Sequence, residues 1–124
     1  MPGQELVSAI TKYCQQNTIT SGIILGIIGS ATHAKLNYLQ ELPSKYESVN
    51  YTGHLEIVAA QGSIALKDNE TIVHIHIQLC NEDGCSGGHL AEAKIFSTAE
   101  VVIGELSNQL RRYADSYTGL NELL

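Results

Sequence analysis

Residues Thr71 to Cys80 have the sequence TIVHIHIQLC, in which apolar and polar side chains alternate from Val73 onward. Side chains two positions apart on a β-strand lie on the same face of the sheet. The alternation therefore predicts a strand with one face toward the core and a second face that carries the chemistry. The core face has Val73, Ile75, Ile77 and Leu79, and the other face has His74, His76, Gln78 and Cys80.

The next four residues, Asn81 to Gly84, have the composition of a loop that closes a β-hairpin. That loop sets a register for the hairpin, and the register brings a third histidine, His89, beside the first two. A bulge at Gly87-Gly88 would instead turn His89 to the opposite face, because a slip of one residue reverses the side chains. The predicted pairs are Cys80 with Cys85, Gln78 with Gly87, His76 with His89 and His74 with Ala91.

Three histidines that meet on a sheet surface form the ligand set of an open zinc site, which keeps a fourth position for water or a small molecule. We therefore predict a divalent metal, zinc by preference, bound by His74, His76 and His89. Neutral imidazole also suits other first-row divalent metals. Gly87 and Gly88 lack side chains and would leave room for a small-molecule ligand at the metal. The alternative, that His74 and His76 are half-exposed strand residues without a ligand role, stays open from the sequence.

Two further histidines and two acids are weaker candidates for the site. For His33 and His54, a surface or hydrogen-bonded role is favoured over metal ligation. Glu56 and Glu100 could act as a general base or as a hydrogen-bond partner of a ligating histidine. Most carboxylates on strands are simply solvated, so no catalytic residue is assigned.

The cysteines bear on the cellular compartment. Met1 to Ile10 has no positively charged segment followed by a long apolar one, so we expect a cytoplasmic protein with reduced thiols. Cys80 and Cys85 could form a disulfide or extend the metal site, but free thiols are the favoured interpretation. The most apolar run, Ile23 to Ile28, is about a third of the roughly 20 residues that a membrane helix needs. No membrane partner is therefore expected.

Composition limits the remaining possibilities. The chain has 124 residues, and seven Lys and Arg against 13 Asp and Glu give a formal charge of −6. This length suffices for a single domain, 1–124, to bury a core without a disulfide or a structural metal. Arg111-Arg112 is the only pair of adjacent basic residues, so no basic cluster is present to follow a phosphate backbone. DNA binding by the isolated domain is therefore not expected.

Periodicity predicts the secondary structure. Apolar residues recur at spacings of three and four between residues 4 and 17, which indicates a helix, and β-type segments follow it. The predicted fold class is α+β, with one N-terminal helix packed on a largely antiparallel sheet of about six or seven strands. The predicted strands are 22–31, 35–40, two within 46–66 that bend near Gln61-Gly62, 71–80, 88–97 and 101–106, and residues 108–115 are predicted to be a short helix or a turn.

The apolar strand Ile23 to Ile28 also predicts an assembly. It shows little polar alternation, so it must be buried on both faces. One helix of about 14 residues cannot cover so large a sheet. We therefore expect other copies of the chain to supply the missing cover in a closed homo-oligomer.

Five segments, in their order along the chain, are Pro2-Gly3-Gln4-Glu5-Leu6, GIILGIIG at 22–29, GHLEI at 53–57, His74-Ile75-His76 and GGHL at 87–90. Together they resemble the PPC domain, the plants and prokaryotes conserved family. The resemblance spans nearly the whole chain and is to the stand-alone prokaryotic members, which are labelled as predicted DNA-binding proteins. This sequence contains no AT-hook, the element joined to the domain in plant nuclear proteins, and it has His54-Leu55 where plant members have Arg-Phe.

The resemblance implies a homotrimer of α+β subunits with a histidine site near a subunit boundary. His74, His76 and His89 match the metal-binding histidines of the family. A similar arrangement occurs in acetolactate decarboxylase, whose fold is similar. The expected function is thus a small oligomeric metal-binding domain that serves as a binding or regulatory module. The alternative is a decarboxylase-like enzyme that uses its metal on a small carbonyl or carboxylate substrate.

Overall fold

The structure, a computed structural model, describes residues 1–123. The predicted domain 1–124 also includes Leu124, which lies outside the described residues. One helix and two antiparallel sheets form an α+β fold, as predicted. The elements are helix α1 (Leu6–Gln16) and strands β1 (Gly22–Glu41), β2 (Lys45–Lys67), β3 (Glu70–Asn81), β4 (Gly84–Glu105), β5 (Arg112–Ala114) and β6 (Asn121–Leu123).

The main sheet closes on itself. Strands β1 to β4 pair with their neighbours in chain order, and β4 returns to pair with the free edge of β1, with every pairing antiparallel. Strands β5 and β6 form a separate two-stranded sheet. The core lies between α1 and the inner faces of the four long strands.

The main sheet has four strands, so the prediction of about six or seven was wrong. The boundaries predicted between consecutive strands lie inside β1, β2 and β4. These boundaries are near residue 32, at Gln61-Gly62 and near residue 98. Irregular pairing occurs at such points, for example between Ala31 and His33 of β1. A bulge bends a strand and turns its side chains, but the hydrogen-bonded ladder resumes beyond it. The interrupted patterns therefore mark bends within long strands.

The segment 108–115, predicted to be a short helix or a turn, contains β5 instead. β5 pairs with β6, and the amide of Leu66 in β2 donates to the carbonyl of Leu110 at 3.1 Å. The segment thus takes its conformation from partners far away in the sequence. Its own side chains carry no pattern that reveals such pairing.

Helix α1 agrees with the predicted helix between residues 4 and 17. The Glu5 carboxylate caps it, with Oε1 accepting from the Val7 amide at 2.9 Å and Oε2 from the Ser8 amide at 2.6 Å. Its buried residues Leu6, Ile10 and Cys14 pack into the core. Within residues 1–123, no helix has the length and apolar character needed to cross a membrane.

The apolar strand at the start of β1 is buried on one face only. Ile24 and Ile27 are fully buried, whereas Ile23, Leu25 and Ile28 are 40%, 59% and 56% exposed. Within a single chain one face of this strand is therefore left uncovered, so burial on both faces requires other copies of the chain and stays a prediction. The inner face of β1 lines the interior of the closed sheet. Helix α1 packs against β3 and β4, so it does not cover the outer face of β1.

Candidate metal centre

The hairpin of β3 and β4 has the register expected from the sequence. His76 pairs with His89, Gln78 with Gly87, and Cys80 with Cys85. Asn81 and Gly84 also pair, so the loop consists of two residues where four were predicted. The Asn81 Oδ1 accepts from the Asp83 amide at 2.9 Å and supports this tight turn. One additional pair leaves the register unchanged, and no bulge forms at Gly87-Gly88.

The predicted pairing of His74 with Ala91 does not form within residues 1–123. The ladder between β3 and β4 ends at the pair of His76 and His89, and beyond that point β4 pairs with β1. His74 instead reaches His89 through its side chain. The Nε2 of His74 and the Nδ1 of His89 are 3.0 Å apart.

The three histidine side chains form one cluster. The rings of His74 and His89 have centroids 4.8 Å apart, and the ring of His76 is 5.2 Å and 5.6 Å from these two. One nitrogen from each residue lies within 4.8 Å of the other two. His74 and His89 are half-buried, and His76 is exposed at the mouth. The structure thus brings together the three residues predicted to ligate a metal.

Burial keeps two of these imidazoles neutral. The pKa of His74 is lowered to about 4, chiefly by burial and then by the positive charges of His89, Arg112 and His76. The pKa of His89 is also lowered, first by burial and then by the charges of His76 and Arg112. At neutral pH both rings are therefore in the form that can donate a lone pair to a metal.

Arg112 is the part of the site that the sequence did not reveal. Its Nη2 donates to the Nδ1 of His74 at 3.1 Å and to the Oγ of Ser63 at 2.8 Å, and its Nη1 donates to the carbonyl of Asn121 at 2.7 Å. The sequence marks it only as half of a basic pair. It lies 38 residues from His74, and no local pattern predicts their contact.

A cleft of about 540 Å³ opens above the histidines. Its walls come from β1, β2, β3, β4 and the segment that carries β5 and β6. No Asp or Glu is among its described lining residues. These are Asn37, Leu39, Ser44, Tyr46, Ile72, Val73, His74, His76, His89, Arg112, Gly119, Leu120 and Asn121.

The two glycines beside His89 do not provide the expected space for a ligand. A Cβ at Gly88 would lie 2.9 Å from Cε1 of Tyr38, and a Cβ at Gly87 would lie 3.0 Å from the carbonyl oxygen of Ile77. Tyr38 and the neighbouring strand therefore already fill that space. The glycines allow close packing, and the cleft lies elsewhere.

Cys80 and Cys85 form a disulfide, contrary to the favoured expectation of free thiols. The two residues are direct partners across the hairpin, with Cα atoms 4.1 Å apart. Opposed positions on antiparallel strands bring the Cβ atoms near each other, which makes a bond possible. Cys14 is a free buried thiol, as expected.

The weaker candidates do not line the cleft. The Nε2 of His33 is hydrogen-bonded to the Oδ1 of Asn50 at 3.0 Å, and the ring of His54 packs 5.2 Å from that of Phe96. Both contacts agree with the predicted surface or hydrogen-bonded roles. Glu56 and Glu100 are exposed residues of β2 and β4.

Comparison with known proteins gives a family and a set of curated relatives. The model of the Plants and Prokaryotes Conserved (PCC) domain matches residues 1–107. A bifunctional protein GlmU from Synechococcus sp. (strain JA-3-3Ab) is 31% identical over 99% of this chain. The chain spans only 19% of the length of that relative.

Two solved structures share the whole fold. A metal-containing protein from Archaeoglobus fulgidus is 30% identical, with a TM-score of 0.92 over 100% of this chain and 88% of the other. A predicted DNA-binding protein from Bacteroides thetaiotaomicron is 25% identical, with a TM-score of 0.93 over 99% of this chain and 86% of the other. Metal content and DNA binding are thus attributed to proteins of very similar structure.

Proposed function

Because this chain belongs to the Plants and Prokaryotes Conserved (PCC) domain family, we propose that it acts as a metal-binding module of that family. His74, His76 and His89 hold one divalent ion, zinc by preference. The observation that carries the proposal is the convergence of three imidazole nitrogens within 4.8 Å of one another. The metal-containing relative from Archaeoglobus fulgidus supports it.

The donor set fits zinc in kind and number. Structural zinc sites use four protein ligands, whereas three imidazoles leave one position open. Nitrogens bound to one zinc at about 2.0–2.1 Å can be at most about 4.2 Å apart, so small ring rotations complete the site. His76 is exposed and can make such a rotation. When bound, the ion supplies an electrophilic centre that attaches a small ligand at its open position.

Elemental analysis of protein purified without an affinity tag tests this proposal. We expect about one zinc per chain in the wild type. His76→Ala removes one ligand from an exposed position, so we expect a sharp loss of metal with no change in the fold.

His54→Ala serves as the matched control. It removes an exposed histidine that lies outside the cleft, and it is expected to retain the full metal content. Circular dichroism verifies that both variants are folded. Equal metal content in His76→Ala and wild type would refute the proposed site.

We also propose that the chain forms a homotrimer. The outward apolar side chains of β1 lie beside Val102 of β4, which is 56% exposed, and Gly26 pairs with Val102 across the two strands. A contiguous apolar surface of this kind favours association. A second and third copy of the chain would cover it in a closed arrangement.

DNA binding is not part of the function proposed for the isolated domain. Three chains of charge −6 would carry about −18 before any metal is counted. Arg112 is half-buried and is engaged with His74, so the basic pair offers only Arg111 at the surface. Since nonspecific affinity depends on neutralised phosphates, a role in transcription would require a partner that supplies positive charge.

The decarboxylase-like alternative would be favoured by a carboxylate beside the metal as general acid or base. No carboxylate is among the described residues that line the cleft, and Glu56 and Glu100 lie outside it. A bound metal without a neighbouring carboxylate can bind a ligand but has no carboxylate to transfer a proton during a reaction. We therefore propose a binding or regulatory module.

A further inference from the structure

The guanidinium of Arg112 has no counter-charge among the residues that the structure describes. Within residues 1–123, it forms no ion pair with an Asp or a Glu. Its hydrogen-bond acceptors are a hydroxyl, a backbone carbonyl and a neutral imidazole, and its Nε is buried without any partner. Arginine in a protein interior is usually paired with a carboxylate or a phosphate. An anion from outside the chain would supply the counter-charge that Arg112 lacks among residues 1–123.

The described lining of the cleft is positively charged and would therefore attract an anion. Its described lining residues include Arg112 but neither Asp nor Glu. With a divalent ion on three neutral imidazoles, two positive centres would face one cavity with no negative group between them. Such a cavity attracts an anion, even in a protein of net negative charge.

The position of the ring proton on His74 determines which N–H groups of Arg112 are free to bind a ligand. Arginine only donates, so the Nδ1 of His74 accepts from Nη2, and the ring proton of the neutral imidazole is on Nε2. That Nε2 faces His89, the direction in which a shared metal would lie. If Nε2 held a metal, the proton of the neutral ring would be on Nδ1, which could then no longer accept from Arg112. One N–H of Arg112 would thereby be free to bind a ligand.

We propose that the cleft binds a small organic carboxylate, with its anionic group on Arg112 and a second oxygen on the metal. This inference rests on the proposed metal centre and names the ligand class of the same site. The planar fork of arginine matches a carboxylate. Leu39, Ile72, Val73 and Leu120 line the cleft and suit a short carbon skeleton better than a free phosphate ion.

Arg112 is also outside the part of the chain that the family model describes, which ends at residue 107. It is positioned by the C-terminal segment, where the amide of Ser44 donates to the carbonyl of Thr118 at 2.9 Å. The Oδ1 of Asp115 accepts from the Thr118 amide at 2.8 Å and fixes the turn between β5 and β6. The anion contact is thus held by short strands and a capped turn.

Calorimetric titration of the zinc-loaded protein with pyruvate tests the proposal, with pyruvamide and inorganic phosphate as comparison ligands. Pyruvate has a carboxylate and an adjacent carbonyl oxygen, and pyruvamide has the same shape without the charge. We expect pyruvate to bind and pyruvamide to bind at least about tenfold more weakly, because the amide loses the charge-assisted contact.

Arg112→Gln is expected to weaken pyruvate binding about tenfold or more, while Arg112→Lys, which keeps the charge but loses the fork, is expected to weaken it less. Arg111→Gln is the matched control and should bind pyruvate as the wild type does, because Arg111 is exposed and does not line the cleft.

Zinc content, measured separately, distinguishes this inference from the proposed metal centre. A wild type without zinc refutes the metal centre. Full zinc content together with equal pyruvate affinity in wild type and Arg112→Gln refutes the carboxylate site alone. Tighter binding of phosphate than of pyruvate, or no binding of pyruvate by the zinc-loaded protein, also overturns the assignment.

Discussion

His74 is the histidine of the cluster most constrained by its neighbours. Its pKa is lowered from 6.5 to about 4, chiefly by burial and then by His89, Arg112 and His76. The unfolded chain therefore takes up a proton at this residue at a higher pH than the folded chain does. In the metal-free protein, the resulting contribution to stability is complete above about pH 6.5 and is lost as the pH falls toward about 4.

We therefore expect the free energy of unfolding of the metal-free protein to decrease between about pH 7 and about pH 5, a range above the ordinary titration of carboxylates. Urea denaturation at the two pH values measures it. His74→Gln should show a smaller decrease, and His54→Gln should match the wild type. An equal decrease in the free energy of unfolding in wild type and His74→Gln would contradict this assignment.

The residues of the cluster were predictable to different degrees. His76 and His89 follow from alternation and a short loop, because pairing across a hairpin is a local property of the sequence. His74 was also identified, but it reaches its neighbour through side-chain contact where β3–β4 pairing has already ended. Arg112 could not be predicted, since a contact 38 residues away from its partner depends on the docking of the C-terminal segment.

At the scale of the elements, Gly62 of β2 positions β3 and its first histidine. A Cβ at this residue would overlap the carbonyl oxygen of His74 on the neighbouring strand. We expect Gly62→Ala to lower the free energy of unfolding by about 1–3 kcal/mol, because two backbones would have to separate. Urea denaturation provides the measurement.

Gly26→Ala is the control for Gly62→Ala. Gly26 lies within β1, and a Cβ there meets no atom within 4 Å. At a protein concentration low enough to keep the chain monomeric, so that the proposed trimer face at Gly26 is uncovered, its substitution should change stability by less than about 0.5 kcal/mol. Equal losses in both variants would show that strand propensity, and not the close approach to His74, accounts for the effect.

The same glycines explain why the sequence predicted the elements only in part. The helix and the strand 71–80 have uninterrupted periodicity, and both lie where they were expected. Gln61-Gly62 was interpreted as a bend between two strands, whereas in the structure Gly62 permits a close approach within one strand that continues to Lys67. Whether a glycine ends a strand or bends it depends on the neighbouring backbone, which the local sequence does not specify.

At the scale of the whole molecule, the proposed association depends on the outer face of β1. Leu25 of β1 is 59% exposed on this face, and the proposed trimer would bury it. Light scattering at micromolar concentration should give a mass about three times 13.4 kDa. Leu25→Asp introduces a charge on this face and should shift the mass toward that of a single chain.

Tyr117→Asp is the matched control for Leu25→Asp. Tyr117 is 79% exposed, but it lies in the turn between β5 and β6, away from the apolar face of β1. This variant should keep the mass of the wild type. A mass near 13.4 kDa for the wild type itself would refute the assembly.

The closure of the sheet also determines how the chain is exposed while it is being made. Ile23 pairs with Gly104, so the second edge of β1 stays open at its isoleucine-rich start until the ribosome has released nearly all of β4. An open, isoleucine-rich edge can pair with other nascent chains. Contacts between such distant segments also form slowly. A pause in translation after β3 would therefore prolong the interval in which aggregation competes with folding.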